Sequence, residues 1–131
     1  MLKKVLISLL LSTLYLCANE LNFSNKLIFS QEEAVTKNKK ILVMFTQENC
    51  PTCEYMESVA FEDALLANYM NKQFILVKLD INKDTMPQDL NVYGTPTFYI
   101  LNAQGQKQGR PIVGGGTPQA FLTLLKSYQK Q

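Results

Sequence analysis

The sequence predicts an α/β protein with a central sheet of about four strands that helices cover on both faces. Two observations carry this prediction. Short continuous apolar runs, which are typical of buried strands, alternate along the chain with segments of helical apolar spacing. The chain has 131 residues and is 47% hydrophobic, which suits a single domain with one core.

Before the first strong strand, the chain is predicted to form an extended lead-in and a short helix. Residues 21–29 are assigned to the lead-in. Ser30 and Glu33 have the spacing of a capping box, so we expect the helix to begin at Ser30 and to end near Asn38. The apolar run 41–45 is then predicted to be a buried central strand.

The middle of the chain is predicted to hold two consecutive helical pieces. The first covers about 50–60, a break follows at 61–63, and the second piece ends near Asn71. The apolar face of the second piece is expected to consist of Leu65, Leu66, Tyr69 and Met70.

The second half of the chain is predicted to contain the remaining strands and a final helix. In order, we expect a strand over 74–79, a short helix or turn over 86–93, a strand over 97–101, a turn at 102–105 and a strand near 107–113. A glycine run at 114–116 ends that strand. Thr117 is the expected N-cap of the final helix and Pro118 its first residue. The apolar face of this helix is expected at Phe121, Leu124, Leu125 and Tyr128.

Residues 1–18 have the features of a secretory signal peptide. A basic start is followed by the apolar run 5–16 and by Ala18, a small residue suited to cleavage. The run is shorter than the roughly 20 residues that a spanning helix needs, so an uncleaved membrane anchor is the weaker alternative. Lipid attachment at Cys17 is another, although the preceding leucine fits a lipoprotein signal poorly. We therefore expect a domain at 19–131 that is exported to the periplasm.

Charge and composition exclude several classes of function. The whole chain has 13 Lys and Arg against 11 Asp and Glu, and the predicted signal segment holds two lysines and no acid. The exported part is thus close to neutral, with no basic stripe for a nucleic-acid partner. The absence of histidine argues against covalent haem attachment, cysteine-protease chemistry and the usual zinc ligand sets.

The pair Cys50 and Cys53 is the strongest functional signal in the sequence. Residues three apart share one face of a helix, so the two sulfurs can close a small ring. The N-terminus of the helix stabilises a thiolate at the first position, where Pro51 suits the first turn. So short a closed loop adds little stability, and export favours persistent disulfides. The spacing therefore predicts a working redox pair.

Two motifs together resemble thioredoxin. They are the Cys-x-x-Cys motif after a buried strand and Gly94-Thr95-Pro96-Thr97 before the third strand. Residues 61–63 and the turn at 102–106 are similar to the secreted group that includes the C-terminal domain of DsbD-type reductases and SoxW-type periplasmic thioredoxins.

The resemblance implies a role for each site residue and no cofactor. Cys50 would be the nucleophile and Cys53 the resolving thiol. Pro51 and Thr52 would support the site between them. A cis Pro96 would face the dithiol, and the main chain of Thr95 would pair with an extended substrate.

The sequence departs from the thioredoxin pattern at two positions. Asn49 stands where an aromatic residue usually precedes the first cysteine, and Met44 stands where a buried acid usually lies. In that family the acid helps to deprotonate the resolving cysteine. Glu48, Glu54, Glu57 or water could substitute for it here, but the favoured interpretation of these three acids is a solvated surface.

The redox direction predicted from the local charges is reducing. The two residues between the cysteines are uncharged, and the nearest charged side chains, Glu48 and Glu54, oppose a thiolate. As in the similar reductases, electrons would come from a membrane thiol donor of DsbD or CcdA type. The clients would be disulfides of exported proteins, such as apocytochromes c. An oxidase or isomerase of the same fold is the alternative.

Two other classes of protein remain as alternatives. One is a metal-binding protein, which would need a dimer or a two-thiolate copper(I) site with Met56. The other is a non-catalytic module of the same fold, which would not need both cysteines. Replacement of Cys53 by serine would leave such a module intact and abolish disulfide exchange in an enzyme.

Overall fold

The computed structural model describes residues 20–130, so the predicted signal peptide, including Cys17, lies outside the described residues. This part of the chain forms five strands and four α-helices. In chain order they are β1 (Phe23–Ser24), α1 (Leu27–Lys37), β2 (Lys40–Thr46), α2 (Pro51–Ser58), a 3-10 turn (Ala60–Glu62), α3 (Ala64–Gln73), β3 (Phe74–Asp80), β4 (Thr97–Leu101), β5 (Ile112–Val113) and α4 (Pro118–Tyr128).

The sheet confirms the predicted α/β architecture, with five strands rather than about four. The strand order is β1-β3-β2-β4-β5. β2 lies parallel to β3 and antiparallel to β4, and β1 and β5 form the two edges. The predicted strand at 41–45 is the buried centre of this sheet, because its unbroken apolar run can be covered on both faces.

The two faces of the sheet carry separate apolar cores. On one face, α2, α3 and α4 pack over side chains such as Met44 and Phe98. The ring of Phe98 lies 4.8 Å from that of Phe121 on α4, measured between ring centroids. On the other face, Ala34 of α1 packs with a smaller apolar cluster that includes Leu90 from the connection between β3 and β4. Helices therefore cover both faces, as predicted.

The predicted start of the first helix is wrong. α1 begins at Leu27, and Ser30 lies inside it instead of capping it. Ser30 is buried, and its hydroxyl donates to the carbonyl of Lys26 at 3.0 Å. A helical serine can bond to the carbonyl one turn earlier, so the Ser–Glu spacing alone does not fix a cap. The predicted end is confirmed, since Asn38 closes the helix in the left-handed conformation.

Residues 86–93 contain a turn at 88–89 and no helix, which is the second of the two predicted alternatives. Two further predictions need correction in detail. The last strand is only Ile112–Val113, with an isolated bridge at Lys107. Gly109 at a φ of 78° turns the chain, and Pro111 lacks the N–H that a longer strand would need. Leu65 is 73% exposed, because Leu66, Ala67 and Met70 form the buried side of α3.

The helix boundaries around the cysteine pair are close to those predicted. Asp63 caps α3 by accepting from the N–H of Leu66 at 2.9 Å, which explains the break before that helix. Thr117 caps α4 through the N–H of Ala120, with Pro118 in the first turn. No helix within residues 20–130 is long and apolar enough to span a bilayer.

Candidate active site

The cysteine pair lies where the central strand β2 gives way to α2. Asn49 adopts a positive φ of 56° and turns the chain between them. Cys50 is the N-cap residue of α2, and its sulfur accepts from the N–H of Cys53 at 3.2 Å. The two cysteines form a disulfide with their Cα atoms 5.2 Å apart. The sulfur of Cys50 therefore lies at the positive end of the helix, where a thiolate is stabilised.

The two sulfurs differ in their access to solvent. Cys53 is only 3% exposed and packs in the core with Met44 and Met56. Cys50 is partly exposed at the rim of that core. A partner can therefore reach Cys50 but not Cys53.

The loop before β4 faces the cysteine pair. The Thr95–Pro96 peptide bond is cis, and the carbonyl oxygen of Thr95 lies 3.4 Å from the sulfur of Cys50. The side-chain amide of Gln47 donates to the Thr95 hydroxyl at 2.9 Å. Pro96 is buried, and its carbonyl accepts from the N–H of Gly114. Hydrogen bonds from both flanking segments thus hold this loop against Cys50.

Thr97 supports the same loop from below. Its side chain is fully buried, its hydroxyl donates to the carbonyl of Gly94 at 2.6 Å, and its oxygen accepts from the N–H of Tyr93 at 3.3 Å. The sequence identified Thr97 only as part of the motif at 94–97, without a bracing role, and it gave no signal for Gln47. The role of Gln47 depends on a contact with Thr95, 48 positions away, which no local pattern indicates.

The glycine run after β5 lies against α2. A Cβ atom at Gly115 would stand 2.8 Å from the side chain of Thr52 and 3.0 Å from the sulfur of Met56. The N–H of Gly116 points to the same sulfur at 3.5 Å. The segment after β5 therefore approaches α2 so closely that Gly115 must be a glycine. Met56 is fully buried in this contact, which gives it a packing role.

Glu57 is the acid that best fits the neighbourhood of Cys53. A cavity of about 330 Å³ is lined by both cysteines and by Glu57, which lies one helical turn after Cys53. Lys78 holds the Glu57 carboxylate at 3.1 Å, and Lys78 is the direct β3 neighbour of Met44. Both side chains of the pair are about one third exposed.

The other two acids are differently placed. Glu48 is exposed and forms an ion pair with Lys83, and this contact raises the pKa of the Lys83 ammonium. Glu54 also lines the cavity but is exposed on α2. The position in β2 where thioredoxins usually have a buried acid is held by Met44, which is completely buried.

The chain belongs to the thioredoxin-like domain family, whose family model matches residues 30–129. The thiol:disulfide interchange protein DsbD of Vibrio cholerae is 32% identical over 100 residues, which cover 71% of this chain and 16% of that protein. The thiol:disulfide interchange protein TxlA of Synechococcus elongatus is 33% identical over 94 residues, covering 70% of this chain and 47% of that protein. The chain therefore spans less than half the length of these two curated relatives.

A solved structure agrees with this assignment at the level of the fold. The putative disulphide-isomerase from Bacteroides thetaiotaomicron superposes with a TM-score of 0.74 at 23% identity, over 85% of this chain and 94% of that one. The predicted thioredoxin fold and the resemblance to DsbD-type proteins are thereby confirmed. The prediction of a thiol–disulfide oxidoreductase is confirmed at the level of the family, since the relatives are thiol:disulfide interchange proteins and thioredoxins.

We expect Thr97→Val to lower the free energy of unfolding by about 1–3 kcal/mol, because the variant loses both hydrogen bonds of the buried Thr97 hydroxyl, to the carbonyl of Gly94 and from the N–H of Tyr93. Urea denaturation of the oxidised protein measures this change. Thr36→Val is the matched control, because the Thr36 hydroxyl bonds to its own helix on an exposed surface. That control should change stability by less than about 0.5 kcal/mol. Equal losses in both variants would show that Thr97 does not brace the loop.

Proposed function

We propose that this protein is a periplasmic thiol–disulfide oxidoreductase that reduces disulfides of exported proteins. The observation that carries the proposal is the unequal burial of two cysteines at the N-terminus of one helix, beside the Thr95–Pro96 loop. The names of the two relatives support the class of reaction. The periplasmic location rests on the signal-peptide features of residues 1–18.

The reaction would proceed in two thiol–disulfide exchanges. The Cys50 thiolate attacks one client sulfur, the client disulfide breaks, and the client's second sulfur leaves as a thiolate that takes up a proton. Cys53, as a thiolate, then attacks the Cys50 sulfur and breaks the mixed disulfide. The client leaves as a dithiol and the protein as the Cys50–Cys53 disulfide, so two electrons pass from protein to client.

The Thr95–Pro96 loop would align the client chain for this attack. The Thr95 carbonyl lies 3.4 Å from the Cys50 sulfur and can pair with an N–H of an extended client segment, a short form of strand addition. Pro51 and Thr52 are exposed beside Cys50, where they shape the surface that the client meets.

Glu57 would accept the proton that Cys53 must lose before the second exchange. Met44 cannot take a proton, and Glu57 shares the cavity with Cys53 while Lys78 fixes its carboxylate. The cavity is large enough for a water molecule between the two groups. Proton transfer through one water is within the reach of general base catalysis.

The reducing direction is supported by the charges at the site. No cation lies between the cysteines, and the exposed Glu54 opposes a thiolate at the start of α2. A weakly stabilised thiolate makes the dithiol a better reductant. A membrane thiol donor of DsbD or CcdA type would then re-reduce the protein, and apocytochromes c are candidate clients. An oxidase or isomerase would require a more strongly stabilised thiolate at Cys50.

We expect Cys53→Ser to accumulate a mixed disulfide with a disulfide-containing peptide, because the resolving thiol is absent. Cys50→Ser should form almost none, because Cys53 is buried. Non-reducing mass spectrometry after rapid alkylation measures the adduct. A module without exchange activity would give no adduct in either variant, and equal adducts would contradict the assigned roles.

The reduction potential of the Cys50–Cys53 pair tests the direction of transfer. We expect a value at or below about −230 mV, towards thioredoxin at about −270 mV. Equilibration of the protein lacking residues 1–18 with glutathione and dithiothreitol buffers gives the value. A potential between about −180 and −120 mV would indicate an oxidase or isomerase instead.

We expect Glu57→Gln to slow the second exchange about tenfold near neutral pH, because general acid–base catalysis is lost. The deficit should shrink as the pH rises, since Cys53 then ionises without a base. Rapid-quench measurement of client release between pH 6 and 9 checks this, with Glu32→Gln on α1 as control. Mixed-disulfide formation in the Cys53→Ser background should not change. A deficit independent of pH would exclude Glu57 as the proton acceptor.

A further inference from the structure

The outward surface of α2 carries two parallel rows of exposed side chains. One row is mostly apolar. It consists of Pro51 and Tyr55, which are four positions apart on one side of α2, and of Val59, the C-cap residue of that helix. Tyr55 and Val59 are 36% and 51% exposed. The other row is polar. It consists of Glu54 and Ser58 on α2 and of Glu62, which ends the 3-10 turn after the helix, all exposed.

The polar row carries negative charge that nearby groups leave unneutralised. Residues 41–71 contain five acids and no lysine or arginine. Within the described part of the chain, Glu48 and Glu57 are paired with lysines and Asp63 caps α3. Glu54 and Glu62 form no ion pair with any residue in 20–130.

Both rows begin at the reactive sulfur. Pro51 follows Cys50 directly, and Val59 caps the other end of α2, about 12 Å away at the helical rise of 1.5 Å per residue. An extended client chain covers that distance in about four residues. A client held at Cys50 by a mixed disulfide can thus lay the residues beside its own cysteine along these rows.

We propose that these two rows, on α2 and directly after it, form a docking surface for a client segment that carries an apolar side chain and a lysine or arginine within about four residues of its disulfide. This inference rests on the proposed function and defines the chemistry of the preferred client. The apolar row buries the apolar side chain, and the carboxylates of Glu54 and Glu62 attract the cation, chiefly by raising the rate of association.

Another exposed apolar set lies on α1 and supplies controls. It includes Ile28 and Phe29, which are 79% and 64% exposed. α1 packs on the opposite face of the sheet from α2, so this set is not continuous with the reactive sulfur.

The test compares three disulfides as oxidants of the fully reduced protein. Two are peptides of equal length with one internal disulfide and a leucine nearby, one flanked by lysines and one by glutamates. The third is hydroxyethyl disulfide, which is small and neutral. The measured quantity is the second-order rate constant, obtained by alkylation and mass spectrometry at low and high salt.

For the unaltered protein, we expect the lysine peptide to react about tenfold faster than the glutamate peptide at low salt, and salt to remove most of this preference. Glu62→Lys should reduce the ratio about threefold, and the double variant Glu54→Lys/Glu62→Lys should reverse it. Glu32→Lys on α1 should leave it unchanged. The quantity compared is the ratio of the rate constants of the lysine and glutamate peptides. A substitution that changes the reactivity of Cys50 changes both rate constants equally and leaves this ratio unaltered.

The apolar row is tested separately with Tyr55→Ser. We expect both peptides to react about threefold more slowly, with the hydroxyethyl disulfide rate unchanged and with no effect of Phe29→Ser. Far-ultraviolet circular dichroism confirms that each variant is folded.

The possible results separate the two proposals. No reaction with any of the three disulfides would overturn the proposed function itself. Reaction with all three, with no preference between the peptides or a preference that Glu62→Lys does not alter, would overturn the docking surface and leave the function intact.

Discussion

The candidate site depends on the position of the Cys50 sulfur, which lies between the N-terminus of α2 and the Thr95–Pro96 loop. Cys50 caps α2, so the N–H of Cys53 points at its sulfur, while the Thr95 carbonyl faces it from the other side. The helix terminus favours the thiolate, whereas a carbonyl oxygen offers it no hydrogen bond. Cys50 occupies this position because the buried strand β2 ends four residues before it.

The buried surroundings of Cys53 follow from the same arrangement. Because α2 lies flat on the sheet, one side of the helix enters the core through Cys53, Met56 and Ala60. The next turn places Glu57 at the edge of that core, beside Lys78. A methionine at position 44 removes the charge from the centre of the sheet, where an ionised group is costly without a partner. Under the proposed function, the proton chemistry belongs to the Glu57–Lys78 ion pair, which is about one third exposed at the rim of the core.

The outward side of α2 completes the functional division of this helix. Its inner side packs, its N-terminus carries the reactive sulfur, and its outer side shows apolar and acidic rows to solvent. Thr97, Gln47 and Gly115 contribute nothing to the exchange of electrons. Thr97 fixes the loop before β4 from within, Gln47 joins that loop to the end of β2, and Gly115 lets the segment after β5 approach α2.

Much of the fold was predictable because its signals are local. The central strand, the start of α2 and the cap at Thr117 each follow from an apolar run or a capping residue within a few positions. The start of α1 was missed, because a serine inside a helix and a serine at its cap have the same sequence spacing. The length of β5 was missed, because a strand's extent depends on its neighbour.

The sequence by itself determined the candidate site: two cysteines three apart at a helix start, no histidine, and a Thr-Pro pair before a buried strand. Those features are set by residue type and spacing, which the chain carries in one dimension. Only the tertiary structure decided which acid stands near Cys53, which residues brace the Thr95–Pro96 loop and which glycine must be a glycine. Most of these depend on contacts between residues far apart in the chain, such as Glu57 with Lys78, Gln47 with Thr95 and Thr52 with Gly115. Sheet pairing and helix packing bring those residues together.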